Sequence, residues 1–258
     1  MKREETTLLE GLILSKKECI SITGGGGKTG LGTYLARKLN NMGKGVIFTS
    51  TTKIYPPQTG DREILIFTTE HLWLSRIDTS LRENKLIYLA SEVLPQGKLK
   101  GITTRICKDI LTKTNSDYVI IEADGSRGRS IKAHSDTEPV VPDFTTLFIA
   151  VLGIDCLMSR IDDSNCHRCG LFCKMLQVNK GDLIDTNVIY SLFKHPDGYL
   201  KTVPKKSRVI VFINKVHKEE ERQEAIKLGE KLLSLKKIDG ILIGHVKPPG
   251  ENFTLLRR

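Results

Sequence analysis

Eight short apolar runs, each bounded by polar or turn-forming residues, limit what this chain can fold into. They are "CISIT" (19–23), "VIFTS" (46–50), "ILIF" (64–67), "LIYLA" (86–90), "YVIIEAD" (118–124), "TLFIAVLG" (146–153), "RVIVFIN" (208–214) and "GILIGHV" (240–246). A half-exposed strand alternates apolar and polar residues, whereas runs apolar at successive positions need cover on both faces, as in a parallel sheet between layers of helices. The intervening stretches 29–41, 69–83, 102–114, 182–194 and 218–235 have helical spacing or strong helix formers. The alternation predicts an α/β fold with a doubly wound, mainly parallel sheet. At 258 residues a single domain, 1–258, is the default, with a small irregular insertion at 154–207. The first part of that insertion, 154–181, carries four of the six cysteines and few strand signals.

The first of these runs leads into "TGGGGKTG", residues 23–30. A Walker loop reads GxxxxGK[ST], and in that frame Ile22 stands at the first glycine position. The remaining order is that of a phosphate-binding loop: apolar strand, glycines, Lys-Thr, helix. Gly24, Gly25, Gly26 and Gly27 let backbone N–H groups turn toward an anion, and a helix starting near Thr29 and Gly30 adds its positive end. Lys28 is then placed for the outer phosphates and the Thr29 hydroxyl for Mg2+. The compressed frame resembles the ATP loop of the Mur ligases, over the loop alone. The expected fold type is therefore that of the P-loop NTPases.

Such a loop works with a carboxylate at the end of another buried strand. "YVIIEADGSRGRSIKAHSDTEPVVP" supplies Glu122 and Asp124 directly after "YVII". Residues two apart on an extended chain face the same side, so both carboxylates are candidates to hold the metal or position water, with no order between them. Arg127, Arg129 and Lys132 follow as candidate phosphate or substrate contacts.

Taken together, "GGGGKT", "TSTTKI", "KLKGI", "IEADGSRGRSIKAHSDTEPVVP", "HR" at 167–168, "HPDGYLKTVP" and "VIVFINKV" resemble the YqeC-type proteins, which are selenium cofactor biosynthesis or selenium-dependent hydroxylase accessory proteins. The resemblance runs from about residue 18 to about 246, and the block from EADG to EPVVP is its most specific part. It implies a P-loop NTP-binding protein associated with maturation of selenium-dependent molybdenum hydroxylases. Residue by residue, Lys28 and Thr29 match the nucleotide loop, and Thr51, Thr52 and Lys53 match a TTTK-like motif after the second strand. Glu122, Asp124, Gly125, Lys132, Glu138 and Pro139 match the acidic block, and His167 with Arg168 match a His-Arg pair. Thr51 and Thr52 also fall at the carboxyl end of an expected strand, where open α/β sheets place ligands.

Two further motifs have competing readings. "RVIVFINKVH" has the strand-then-Asn-Lys layout of the guanine-reading NKxD motif, with His217 in place of Asp. Asn214 and Lys215 remain candidates to pack on a base, but a neutral imidazole accepts at most one of the two guanine N–H bonds, so ATP and GTP both stay open. "CHRCGLFC" sets Cys166, Cys169 and Cys173 beside His167, a pattern usable for zinc or an iron-sulfur cluster. No second ligand pair is evident, and at helical spacing the three thiols share one face as small core residues do, so packing is preferred to metal.

The net charge of +10, from 40 basic and 30 acidic residues, with a pI near 9.3, suits an anionic ligand. Aromatics make up 6% of residues and the cations are scattered, which disfavours nucleic acid as partner. No run approaches the roughly 20 apolar residues of a membrane span, and "MKREETTLLEGLILSKKE" does not read as a signal peptide, so a cytoplasmic protein is expected. The expected function is an Mg-NTP-dependent accessory enzyme that hydrolyses NTP, transfers its phosphoryl group or ligates. The competing reading is a nucleotide-gated carrier or chaperone for the hydroxylase cofactor or its selenium. Its partners would be the apo-molybdenum hydroxylase or the cofactor-maturation proteins.

Overall fold

The computed structural model describes residues 2–246 and 252–258. The chain begins with β1 (Lys2–Thr6), α1 (Leu8–Leu12), β2 (Glu18–Gly24), α2 (Lys28–Asn41), β3 (Val46–Ser50), β4 (Lys53–Ile54) and β5 (Glu63–Phe67). It continues with α3 (Trp73–Arg82), β6 (Leu86–Ala90), β7 (Glu92–Val93), β8 (Leu99–Lys100), α4 (Thr104–Lys113), β9 (Tyr118–Glu122) and β10 (Ile131–Lys132). Then come β11 (Leu147–Gly153), β12 (Cys166–His167), α5 (Cys169–Leu176) and α6 (Thr186–Lys194). The last elements are β13 (Arg208–Asn214), α7 (Glu219–Leu233), β14 (Gly240–Ile243) and β15 (Phe253–Arg257).

Ten strands form one sheet in the order β1-β15-β14-β13-β11-β2-β9-β3-β6-β5. From β14 to β5 every neighbouring pair is parallel, and each of the eight apolar runs lies in one of these strands. The continuous apolar character is used on both faces. Leu147, Ile149 and Val151 of β11 pack with Leu31, Leu35 and Leu39 of α2, while Phe148, Ala150 and Leu152 pack with Leu192 of α6 and Leu228 and Leu232 of α7. On the second face near β3 and β6, Ile47, Ile87 and Leu89 meet Ile77 of α3 and Cys107 and Ile110 of α4.

Two strands of this sheet were not among the expected ones. β15 adds antiparallel to β14, and β1 adds antiparallel to β15 at the sheet edge. β1 is nearly all charged and exposed, so no apolar run marks it; charge is a common protection for an edge strand. The expected insertion at 154–207 contributes α5, α6 and the short β12, and its Ile161, Phe172, Ile189 and Tyr199 enter the same core as β11 and β13. No described helix is long and apolar enough to cross a membrane.

β9 sits between β2 and β3, and the chain leaves β9 to cross β2 and form β11 on its other side. The carboxyl ends of β2, β9, β3 and β11 therefore meet around the point where the winding reverses, the usual place for a ligand in an open parallel sheet.

Candidate functional site

The glycine loop leaves β2 at that reversal and is wedged against three neighbours. Gly24 (φ +98°) has no room for a side chain, since a Cβ would lie 2.2 Å from the Val151 carbonyl oxygen. At Gly26 (φ +77°) a Cβ would lie 2.2 Å from the Gly153 nitrogen. Left-handed backbone and close approach thus require glycine independently. The Gly25 N–H donates to Val151 O (2.9 Å), the Gly26 N–H donates to Arg129 O (2.8 Å), and Asn214 Nδ2 donates to Gly26 O (2.7 Å). Asn214 is thereby committed to bracing the loop. Lys215 is held similarly, its Nζ donating to Ser130 Oγ at 2.6 Å and to Asp155 Oδ2 at 2.8 Å.

After this bracing, the free donors are those of α2. Its N-cap, Gly27, supplies no side-chain bond, and Gly27, Thr29 and Gly30 are exposed. The first amides of a helix lack intrahelical acceptors and carry the positive end of its dipole, so this turn is suited to an anion.

Below that turn lies a cluster of buried charge. Lys28, 3% exposed, donates from Nζ to Gly24 O at 2.7 Å and stands 3.2 Å from Asp124 Oδ1 and 3.8 Å from Glu122 Oε1. Thr29 Oγ1 donates to Glu122 Oε2 at 2.7 Å. The two carboxylates therefore do converge, as their spacing suggests, but their environments differ. Asp124 is wholly buried. It accepts from the Gly24 N–H at 2.9 Å, from His134 Nε2 at 2.6 Å, and pairs with Lys28 and Lys132, each at 3.2 Å. Burial alone would push its carboxyl up, yet Lys28, His134 and Lys132 together outweigh it and hold Asp124 well below the usual carboxylate range. Glu122 moves the other way: burial pushes it up, Lys28 and the Thr29 hydroxyl oppose only part of the rise, and the Asp124 charge adds to it. Separated titrations of this kind distinguish a fixed anion from a group that can exchange a proton or ligand. Glu122 and Thr29 meet at the open turn, joined by their 2.7 Å hydrogen bond.

His134 is the residue that sequence reasoning missed. Its ring lies 5.3 Å from that of Tyr199, whose hydroxyl accepts the Lys132 N–H at 3.1 Å. The available signal was its spacing in "IKAH", two residues after Lys132, which puts both on one side of an extended segment.

A line of alternating charges leads out of this cluster. Lys132, 0% exposed, donates to Gly125 O at 2.6 Å and to Glu138 Oε2 at 3.0 Å, and Glu138 Oε1 is 2.9 Å from Arg168. Arg168 lies on the wall of an open cavity of about 1160 Å³. Thr51, Thr52 and Lys53 line it together with Arg127, Glu138, His167 and Arg168. Seven of the eight residues expected to serve substrate or switching are thus gathered in one place, and Lys132 lies directly beneath. The glycine loop is a neighbour of the cavity and shares with it the segment 125–130, through the Gly26 to Arg129 bond and the close packing of Gly25 on Ser130. Thr51 is fixed by donating to Val140 O at 2.8 Å. His167 is driven down to about 4, first by burial and then by the charges of Lys132, Arg168 and Arg127, so its imidazole is neutral at pH 7.

The cysteines are arranged for packing. Cys166 and Cys169 are buried in the core beneath α5, and Cys173 lies against it. Burial pushes the Cys169 thiol up to about 11, with Cys173 adding to the rise, and pushes Cys166 up as well. Among the described residues no group of three or more His, Cys, Asp or Glu is arranged to hold a metal ion.

The sequence matches a known family model, that of the YqeC protein, over residues 20–170. A curated relative from Escherichia coli (strain K12), named "Uncharacterized protein YqeC", is 30% identical over 230 residues, covering 88% of this chain and 87% of that protein. The family match spans the glycine loop, the Glu122–Asp124 strand and the residues lining the cavity, and ends before Asn214 and Lys215.

Proposed function

The chain belongs to the YqeC family, and from that footing we propose that it is an Mg-NTP-binding accessory protein of P-loop type in the maturation of selenium-dependent molybdenum hydroxylases. The observation that carries the nucleotide reading is the Thr29 to Glu122 bond of 2.7 Å at the uncapped first turn of α2, with Lys28 poised between Glu122 and Asp124. The amides of that turn would bind the phosphate oxygens, and the Lys28 ammonium would follow the outer phosphate. Mg2+ bound at Thr29 and Glu122 would supply charge neutralisation on the phosphates. Asp124 pairs with Lys28 and fixes the loop entry through Gly24. The raised carboxyl of Glu122 suits it to accept a proton or orient water once Lys28 turns toward the ligand. The maturation role rests on the family resemblance alone.

The test is nucleotide affinity and Mg2+ dependence for ATP and GTP. Lys28→Ala should weaken binding by roughly ten- to a hundredfold, the scale of a lost charge-assisted hydrogen bond. Thr29→Ala and Glu122→Gln should raise the Mg2+ concentration needed. Unchanged affinity in Lys28→Ala would remove the nucleotide reading.

One observation favours the carrier over a simple hydrolase. The ion pairs from Lys28 through Asp124, Lys132 and Glu138 to Arg168 give the nucleotide turn a physical connection to the cavity. A nucleotide that recruits Lys28 would redistribute those pairs and alter the cavity wall, as a gate requires. Turnover that stays negligible until an apo-hydroxylase is added supports the carrier, and steady turnover with a small acceptor supports the enzyme.

A further inference from the structure

The cavity differs from the nucleotide turn in having cations to spare. Lys53 and Arg127 are exposed on its wall and have no ion-pair or hydrogen-bond partner among the described residues. Arg168 is paired through one terminal nitrogen, but its Nε is buried with no partner. Two helices begin at the rim. α4, ten residues long, starts at Thr104 with Thr103 capping a single amide by accepting from Ile106, and α5, eight residues long, starts after Arg168 with no side-chain cap. Both Thr103 and Thr104 line the cavity. The same wall offers the apolar surfaces of Ile102 and Val140, and a volume of about 1160 Å³, as large as the space used for organic ligands. Like-charged groups left unpaired around one concavity focus a positive potential into it, and Lys132, Arg168 and Arg127 add to the lowering that burial imposes on His167.

We propose that this cavity is a binding site, separate from the nucleotide turn, for a small organic molecule carrying at least two negative charges, of the phosphate-ester or diphosphate class. Lys53 and Arg127 meet its charges, the amides at the start of α4 and α5 add donors, and Ile102 with Val140 covers its organic part. Thr51 and Thr52, at the carboxyl end of β3, line the same cavity as Lys53. A doubly charged ligand matches the two exposed cations, Lys53 and Arg127, that have no counter-charge of their own among the described residues. Binding here does not depend on the nucleotide reading. Only the further role of this molecule as acceptor or cargo rests on it.

The experiment is calorimetric titration with inorganic pyrophosphate, without Mg2+ and at constant ionic strength, on the full chain. In Lys28→Ala, where the nucleotide turn is weakened, pyrophosphate should still bind. In the double variant Lys53→Gln/Arg127→Gln the affinity should fall about tenfold or more, since each lost charged contact is of that order. Both residues are exposed, so circular dichroism should show the variant folded. Methyl phosphate should compete more strongly than chloride at equal ionic strength. The proposal is overturned if pyrophosphate binding disappears in Lys28→Ala and is unmoved in the double variant, a result that leaves the nucleotide reading intact. It is overturned equally if chloride competes as well as methyl phosphate, which would reduce the effect to screening. Loss of nucleotide binding alone in Lys28→Ala, with pyrophosphate binding kept, separates the two sites.

Discussion

The Asp124 cluster and the cavity both sit at the carboxyl ends of the parallel strands and share the segment 125–130, yet they treat charge in opposite ways. In the cluster every charge has a partner: Asp124 accepts from Gly24 and His134 and is paired with Lys28 and Lys132, all of them buried. In the cavity, Lys53 and Arg127 face solvent unpaired. A buried network whose charges are all paired holds neighbouring groups in one geometry, and a ligand that engages Lys28 has to draw it from Asp124. An open set of unpaired cations contributes little to folding but much to binding. The contrast suits Asp124 to positioning, and the proposed ligand contacts fall to Glu122 on one side and to the cavity cations on the other.

The strongest break of that contrast is Asp124→Asn. It leaves Lys28 and Lys132 buried without their shared counter-charge, and stability should fall by about 3 kcal/mol or more, the scale of opening a buried pair from one side. Arg127→Gln, on the cavity side, should change stability by less than about 0.5 kcal/mol. Urea denaturation of both variants checks the pair. Equal stabilities would show that the cluster is not the scaffold it is taken for here.

Glu138 sharpens the comparison because it belongs to both regions. If an anion in the cavity draws Arg168 away, Glu138 turns more fully to Lys132, Lys132 shares less with Asp124, and Asp124 holds Lys28 more tightly. Occupation of the cavity should therefore weaken nucleotide binding, by about five- to tenfold if the coupling is of ordinary allosteric size. Glu138→Gln removes the link and should bring the factor down toward direct repulsion between the two anions. Nucleotide affinity measured with and without pyrophosphate in both proteins gives the coupling. An identical factor in Glu138→Gln would mean that the ion pairs do not transmit it.

The two regions were also unequally legible from sequence. The apolar runs marked all eight parallel strands, because burial on both faces leaves a continuous signal, and the charged edge strand β1 left none. At the loop, the glycines and Lys-Thr pair were visible, but the sequence offered no order between Glu122 and Asp124. That order depends on His134 and Lys132, which reach Asp124 only through the fold. Asn214 looked like a base contact because its motif is defined by position after a strand, whereas its amide is directed at Gly26 O, a contact 188 residues away in sequence. Arg127 was visible from its place after the acidic strand, while Thr51, Thr52, Lys53, Glu138, His167 and Arg168 came into view through family resemblance, and their gathering around one cavity is a product of tertiary structure.

The smallest expected effect is the pH dependence of His167, set first by its burial and then by the cavity charges. His167 faces Lys132, Arg168, Arg127 and Glu138, and its folded value of about 4 lies below the ordinary 6.5. Between these values the unfolded chain binds a proton that the folded chain does not, so stability is lost as pH falls from about 6.5 to about 4 and is constant above that window with respect to this group. Glu122, raised in the fold, acts with the opposite sign, losing stability as pH rises through its folded value, so the wild-type curve contains both contributions. The difference between wild type and His167→Gln isolates the imidazole: the variant should lose less stability on acidification to pH 4, with little difference at pH 7. Filling the cavity with pyrophosphate should neutralise part of the surrounding positive charge, raise the His167 value and shift the acid loss to higher stability. Thermal unfolding from pH 7 to pH 4, with and without pyrophosphate, reads all three. A pyrophosphate effect of the same size in His167→Gln would place the anion away from His167, and with it away from the cavity wall.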